Sequence, residues 1–188
     1  IGSLAGDALT TSGNNVAVGY GALTTDTSGS LSTAIGYSAL ENQNFTTATA
    51  SYNVAVGYKA GEAVTTGLGN TLTGSLAGDA LTDADFNTVF GYNALSSDTL
   101  GSRSTAIGIA ALFTQNFTTA TDSHNTAVGN LAGYAVTTGT QNTLLGSLAG
   151  DALTTGSQNV SIGYQALSAD DLGSHNVAIG ANALSDMN

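Results

Sequence analysis

One glycine-centred motif returns along the whole chain at nearly constant intervals, and that spacing limits the possible folds more than any other feature. It first appears complete as NVAVGYGAL (15–23), then as STAIGYSAL (32–40), NVAVGYKAG (53–61), NTLTGSLAG (70–78) and NTVFGYNAL (87–95). Further copies run to NVAIGANAL (176–184), and a truncated IGSLAG begins the chain. The anchor glycines are Gly2, Gly19, Gly36, Gly57, Gly74, Gly91, Gly108, Gly129, Gly146, Gly163 and Gly180. Successive anchors lie 17 residues apart, except for the 21-residue steps from Gly36 to Gly57 and from Gly108 to Gly129. GSLAGDALT returns at Gly2, Gly74 and Gly146, so a 17-residue unit is nested in a 72-residue cassette. Such two-level self-similarity marks a repeat architecture.

A 17-residue unit is too short for a βαβ module. Its β-branched residues favour strands over paired helices. The expected fold is all-β: a parallel β-solenoid in which each unit is one coil, stacked on the next at about 4.8 Å, for a rod of roughly 50 Å. The whole chain, 1–188, reads as one repeat domain of about eleven rungs, with cassettes at 1–72 and 73–144 and a partial one at 145–188. The four extra residues fall in ENQNFTTATASYN and FTQNFTTATDSHN, which read as an enlarged loop on one edge. The chain starts within one unit and stops soon after another, which suggests a piece of a longer fibre or a subunit that stacks end to end.

Each column of the repeat has its own chemistry. Three residues after every anchor stands alanine, the mark of a sterically tight site. Four residues before it come Asn15, Ser32, Asn53, Asn70, Asn87, Ser104, Asn125, Asn142, Asn159 and Asn176. Stacked side chains of this kind are expected to hydrogen-bond along the rod as a structural ladder. The strand residues flanking the central one are assigned to the solenoid interior. The central residue then points outward at Ala17, Ala34, Ala55, Leu72, Val89, Ala106, Ala127, Leu144, Ser161 and Ala178. All of these except Ser161 are apolar, and strands dry on both sides belong inside a larger assembly. The nine apolar positions are therefore expected to form a chain–chain interface.

The Asn-[Val/Thr]-Ala-[Ile/Val]-Gly pattern with its later alanine resembles the head repeats of trimeric autotransporter adhesins (YadA-like, or Hep/Hag, repeats), and NTVFGYNAL is also similar to phage tail-fibre repeats. The resemblance covers nearly the whole chain, although its 17- and 21-residue units are longer than that family's usual period. It implies a left-handed parallel β-roll, three chains associated side by side, and a non-catalytic role in attachment on a cell or virion surface outside the cell. The partners it implies are the chain itself, as a homotrimer, and a glycan or protein on a host surface.

Composition narrows the function further. Two basic residues, Lys59 and Arg103, face 13 acidic ones for a net charge of −11, which argues against nucleic acid and anionic membrane. No apolar run is long enough to span a bilayer. Cysteine is absent, so disulfides are excluded. His124 and His175 lack convergent partners and read as solvated loop residues. Asp83, Asp85 and Asn87 imitate the start of a calcium loop, but Thr88 and Ala94 stand where glycine and glutamate are needed. Asp7, Asp79 and Asp151 recur once per cassette, too far apart to share a metal. No phosphate loop or nucleophile elbow occurs. Neither an enzyme nor a cofactor is expected.

The tyrosines after the anchor (Tyr20, Tyr37, Tyr58, Tyr92, Tyr164) are expected to form a partly exposed row that seals an edge of the rod. Phe45 and Phe117, in the enlarged loops, are the candidate partner contacts. An ice- or glycan-binding solenoid is the alternative function. Thr47/Thr49 and Thr119/Thr121 supply the Thr-x-Thr pairs that ice binding wants only once per cassette.

Overall fold

Asn-[Val/Thr]-x-[Val/Ile]-Gly is a short β-prone run closed by a residue that permits a sharp bend. In the computed structural model, which describes residues 1–186, each such run is a three-residue strand. From the N-terminus come β1 (Val16–Val18), β2 (Gly29–Ser30), β3 (Thr33–Ile35), β4 (Thr49–Ala50) and β5 (Val54–Val56). β6 (Thr71–Thr73), β7 (Thr88–Phe90), β8 (Gly101–Ser102), β9 (Thr105–Ile107), β10 (Thr121–Asp122) and β11 (Thr126–Val128) follow. The last are β12 (Thr143–Leu145), β13 (Val160–Ile162) and β14 (Val177–Ile179). Ten of them form one parallel sheet in the order β1-β3-β5-β6-β7-β9-β11-β12-β13-β14. Register follows the repeat: Leu72 lies opposite Ala55 on one side and Val89 on the other. The chain is a parallel β-solenoid of about ten turns. In each enlarged unit the extra residues build a second parallel pair, β2 with β4 and β8 with β10.

The orientation of the sheet reverses the one expected from the sequence. Ala34, Ala55, Leu72, Val89, Ala106, Ala127, Leu144 and Ala178 are buried inside their own coil, and Ala17 is partly buried there. Their flanking residues point outward. These nine positions are therefore core rather than chain–chain interface. The physical reason is the narrow bore. The invariant alanines after the anchor, such as Ala22, Ala39 and Ala77, occupy the same interior, so the facing strand can present only a small side chain on most rungs.

Where the bore does admit a large residue, space has been cleared for it. Leu72 projects between Gly61 and Gly78; a Cβ on either would approach a Leu72 methyl at 2.6 and 2.9 Å. Leu144 lies between Gly133 and Gly150 in the same way, at 2.7 Å from each. Rungs with leucine four residues after the anchor, such as Leu23, Leu40, Leu95 and Leu112, instead have alanine or valine at the centre of the strand. The 72-residue cassette is thus a four-coil packing unit, because a side chain of one coil fills the hollow of its neighbours.

Coils stack closely at the anchors. Gly74 N–H donates to Val56 O at 2.8 Å, and Gly91 N–H to Thr73 O at 2.9 Å. The anchors have φ near +130° to +147° through most of the rod, and a Cβ on Gly91 would lie 2.3 Å from Gly108 O. Only glycine fits. Gly91→Ala is expected to destabilise the rod by about 3 kcal/mol or more, against a few tenths for Ser75→Ala one unit earlier, as read from denaturant or thermal unfolding.

Candidate functional site

The residues just outside the bore define the exposed chemistry. Three before each anchor, Thr or Val faces outward; one before, Val, Ile, Leu or Phe does so, with Thr73 the exception. Val16, Ile35, Phe90, Leu145, Val177 and Ile179 are exposed large apolar residues of this face. Neither column carries a charge. Around the bend the tyrosine column continues the stripe, and Tyr20, Tyr37, Tyr58, Tyr92 and Tyr164 are all about half exposed. Tyr20, Tyr37 and Tyr58 stack one on the next.

The ladder column lies inside. Asn53, Asn70, Asn87, Asn125, Asn142 and Asn159 are buried, as are Ser32 and Ser104; Asn15 and Asn176 at the outer rungs are partly so. The bonds run chiefly from backbone to side chain. Asn87 N–H donates to Asn70 Oδ1 at 2.9 Å, and Asn70 Nδ2 donates to Ala84 O at 2.7 Å. The same two bonds recur at Asn142, through Asn159 N–H at 3.0 Å and Gly156 O at 2.9 Å. Direct amide–amide contact is weaker, 3.4 Å from Asn70 to Asn53 and 3.2 Å from Asn159 to Asn142. Asn70→Ala leaves a buried N–H and a buried carbonyl without partners, and about 2–4 kcal/mol of stability is expected to be lost on chemical denaturation.

Serine in the ladder column brings a compensating network. Gln43 extends from the next coil, donates to Asp26 Oδ2 at 2.6 Å and Ser32 Oγ at 3.0 Å, and accepts from Asn53 Nδ2 at 2.9 Å. Asp26 also accepts Gly29 N–H at 2.9 Å and Phe45 N–H at 3.1 Å. Asp98, Ser104, Gln115 and Phe117 repeat the arrangement. A legible sign existed: each ladder serine has aspartate six residues before it and glutamine eleven after. Both carboxylates are fully buried and already hold three N–H donors, so they serve to tie the enlarged loop to the coil.

That network also corrects the reading of Phe45 and Phe117. Both are buried, at 7% and 6% exposure. A Cβ on Gly101 would lie 2.8 Å from the Phe117 ring, so the ring packs against the preceding coil. The tips of the enlarged loops are exposed at Thr46, Thr47 and Ala48, and at Thr118, Thr119 and Ala120. His124 and His175 lie on the surface, each in the left-handed region at φ 51° and 63°.

The recurring aspartates do not converge. Asp79 and Asp151 each have one buried carboxylate oxygen without a hydrogen-bond partner. Burial pushes the Asp79 carboxyl up from 3.8 to about 6; its own backbone N–H opposes the shift and Glu62 adds to it. Asp151 is raised for the same reason. A raised acid favours the folded state when protonated. Stability is therefore expected to rise as the pH falls from 7 through about 6, with no further gain from Asp79 below 3.8. Asp79→Asn should melt higher than wild type at pH 7 and show a flatter profile between pH 7 and 4, readable from melting curves across that range.

Comparison with protein-family models, curated proteins and solved structures finds nothing that matches this chain.

Proposed function

We propose that the chain is a segment of an extracellular structural fibre, on a cell or virion surface, which associates into a three-chain rod and serves attachment. The observation that supports it is the uncharged outer face of the ten-stranded sheet, whose residues are exposed or half-buried along its whole length. Ten rungs at about 4.8 Å and four residues at about 3.3 Å give a footprint of roughly 600 Å². That approaches the ~800 Å² which each partner contributes to a stable interface. Further copies of the chain are the natural cover, since each brings an equally long and equally regular stripe. The faces that meet are the Thr/Val and Val/Ile/Leu/Phe columns; the alanine column stays in the bore.

The resemblance to adhesin head and tail-fibre repeats supports the same reading. Attachment then falls to what an associated rod leaves outside: the tips of the enlarged loops and the tyrosine edge. No catalysis and no cofactor is part of this role.

Native mass spectrometry or light scattering tests it. Wild type is expected as a trimer, and Ile107→Glu, a charge at mid-face, as a folded monomer with unchanged far-UV circular dichroism. A monomeric wild type would overturn the three-chain rod. If that monomer gave thermal hysteresis, ice binding would replace it, with Thr33, Thr71, Thr88, Thr105, Thr126 and Thr143 as the outward threonine column.

A further inference from the structure

The tyrosine ridge of the first cassette is an exposed feature that the fold does not demand. Tyr20, Tyr37 and Tyr58 occupy three successive coils, with ring centroids 5.3 and 5.4 Å apart and interplanar angles of 15° and 20°. Nearly parallel rings at that distance are offset, so each overlaps its neighbour only in part. They remain 49%, 47% and 49% exposed. The second cassette builds the same coils with Tyr92, Ile109 and Asn130 at these positions. Three tyrosines in a row are therefore no requirement of the backbone. The flank differs as well, since Glu41 and Glu62 correspond to Phe113 and Tyr134. Lys59 completes the flank: its Nζ pairs with Glu62 at 3.0 Å and sits 5.8 Å from the centre of the Tyr58 ring.

We propose that this ridge binds an extended, uncharged β-1,4-linked glycan lying along the rod. The spacing of the rings is close to the advance of one sugar residue along such a chain, so successive pyranose rings meet successive tyrosines. Stacked on one another, the rings turn mainly their edges and hydroxyls outward; the edges make apolar contacts with the sugar rings, while the phenol hydroxyls, Glu41, Lys59 and Glu62 exchange hydrogen bonds with sugar hydroxyls. A net charge of −11 disfavours acidic glycans. An α-linked chain that coils cannot follow a straight row. This inference rests on the attachment reading and gives it a ligand class.

The chain has no tryptophan, so emission comes from its seven tyrosines, three of them in the ridge, and isothermal titration gives the affinity. Cellohexaose and chitohexaose are the probes; maltohexaose and an oligogalacturonate test linkage and charge. At least one β-1,4 hexaose is expected to bind saturably. The variant Tyr37→Ile/Tyr58→Asn copies residues the second cassette already tolerates. It is expected to weaken binding about tenfold, with circular dichroism and native mass unchanged, whereas Tyr164→Ala leaves affinity as it was. The proposal is overturned if neither β-1,4 hexaose binds, if the double variant binds as well as wild type, or if maltohexaose or the oligogalacturonate binds equally tightly. Trimers blind to these glycans would overturn this site alone, and a monomer that still binds a hexaose would overturn only the association.

Discussion

Hydrogen bonding from each coil to the next is the constraint on which the rest of the rod depends. Nearly every turn donates to or accepts from an equivalent position one unit away, as Gly91 N–H does to Thr73 O at 2.9 Å. Stacking at such close range tolerates little variation in backbone path, so every coil must make the same corners. Those corners lie in the left-handed region, which twenty-five non-glycine residues among those described adopt, leucines such as Leu23, Leu40 and Leu95 included. Each costs on the order of 1 kcal/mol for an L-residue. The ladder asparagines and the coil-to-coil backbone bonds offset that strain, because they satisfy groups that would otherwise be buried without partners.

Identical coils do not require identical contents, and this explains the longer period. Leu72 needs Gly61 and Gly78 beside it; Leu40 shares its rung with the small Ala34. Interior volume is conserved over groups of four coils rather than within one. The enlarged unit belongs to the same arrangement. When serine replaces asparagine in the ladder, an amide must come from elsewhere, and Gln43 supplies it across the coil boundary. Asp26 then fixes both Gln43 and the backbone at Phe45, where the inserted residues begin.

The glycine period, with β-branched residues before it, was enough to read the stacked parallel coils, since no other architecture accommodates a 17-residue unit of this composition. Which side of the strand faces the bore was not legible from size alone. Large aliphatic residues suggested the interior and small alanines the outside, whereas a bore this thin inverts the rule. The distinguishing sign lay in the coupling between columns: leucine at the strand centre appears only where glycine stands four residues after the anchors on both sides. Phe45 and Phe117 were misplaced for a related reason. A loop insertion reads as protruding, but here the aromatic turns back to close the cavity next to a buried carboxylate. The tyrosine row was legible because it follows the anchor glycine in one column, although its stacking depends on consecutive tyrosines, which only the first cassette provides.

The inverted orientation sharpens the case for association. Had the alanines faced out, the exposed stripe would have been shallow and only weakly apolar. With them inside, each coil holds a core of little more than methyl groups and one or two leucines or valines, and the larger aliphatic surfaces of Val54, Ile107, Leu145 and Ile162 lie on the outer face. A slender rod buries a small share of its own surface, and here it leaves outside the side chains whose burial would stabilise it most. A parallel strand that is apolar on both sides is in place only when both sides are covered. The sheet supplies one cover from its own coil, and the uncharged other face is what the proposed association would cover.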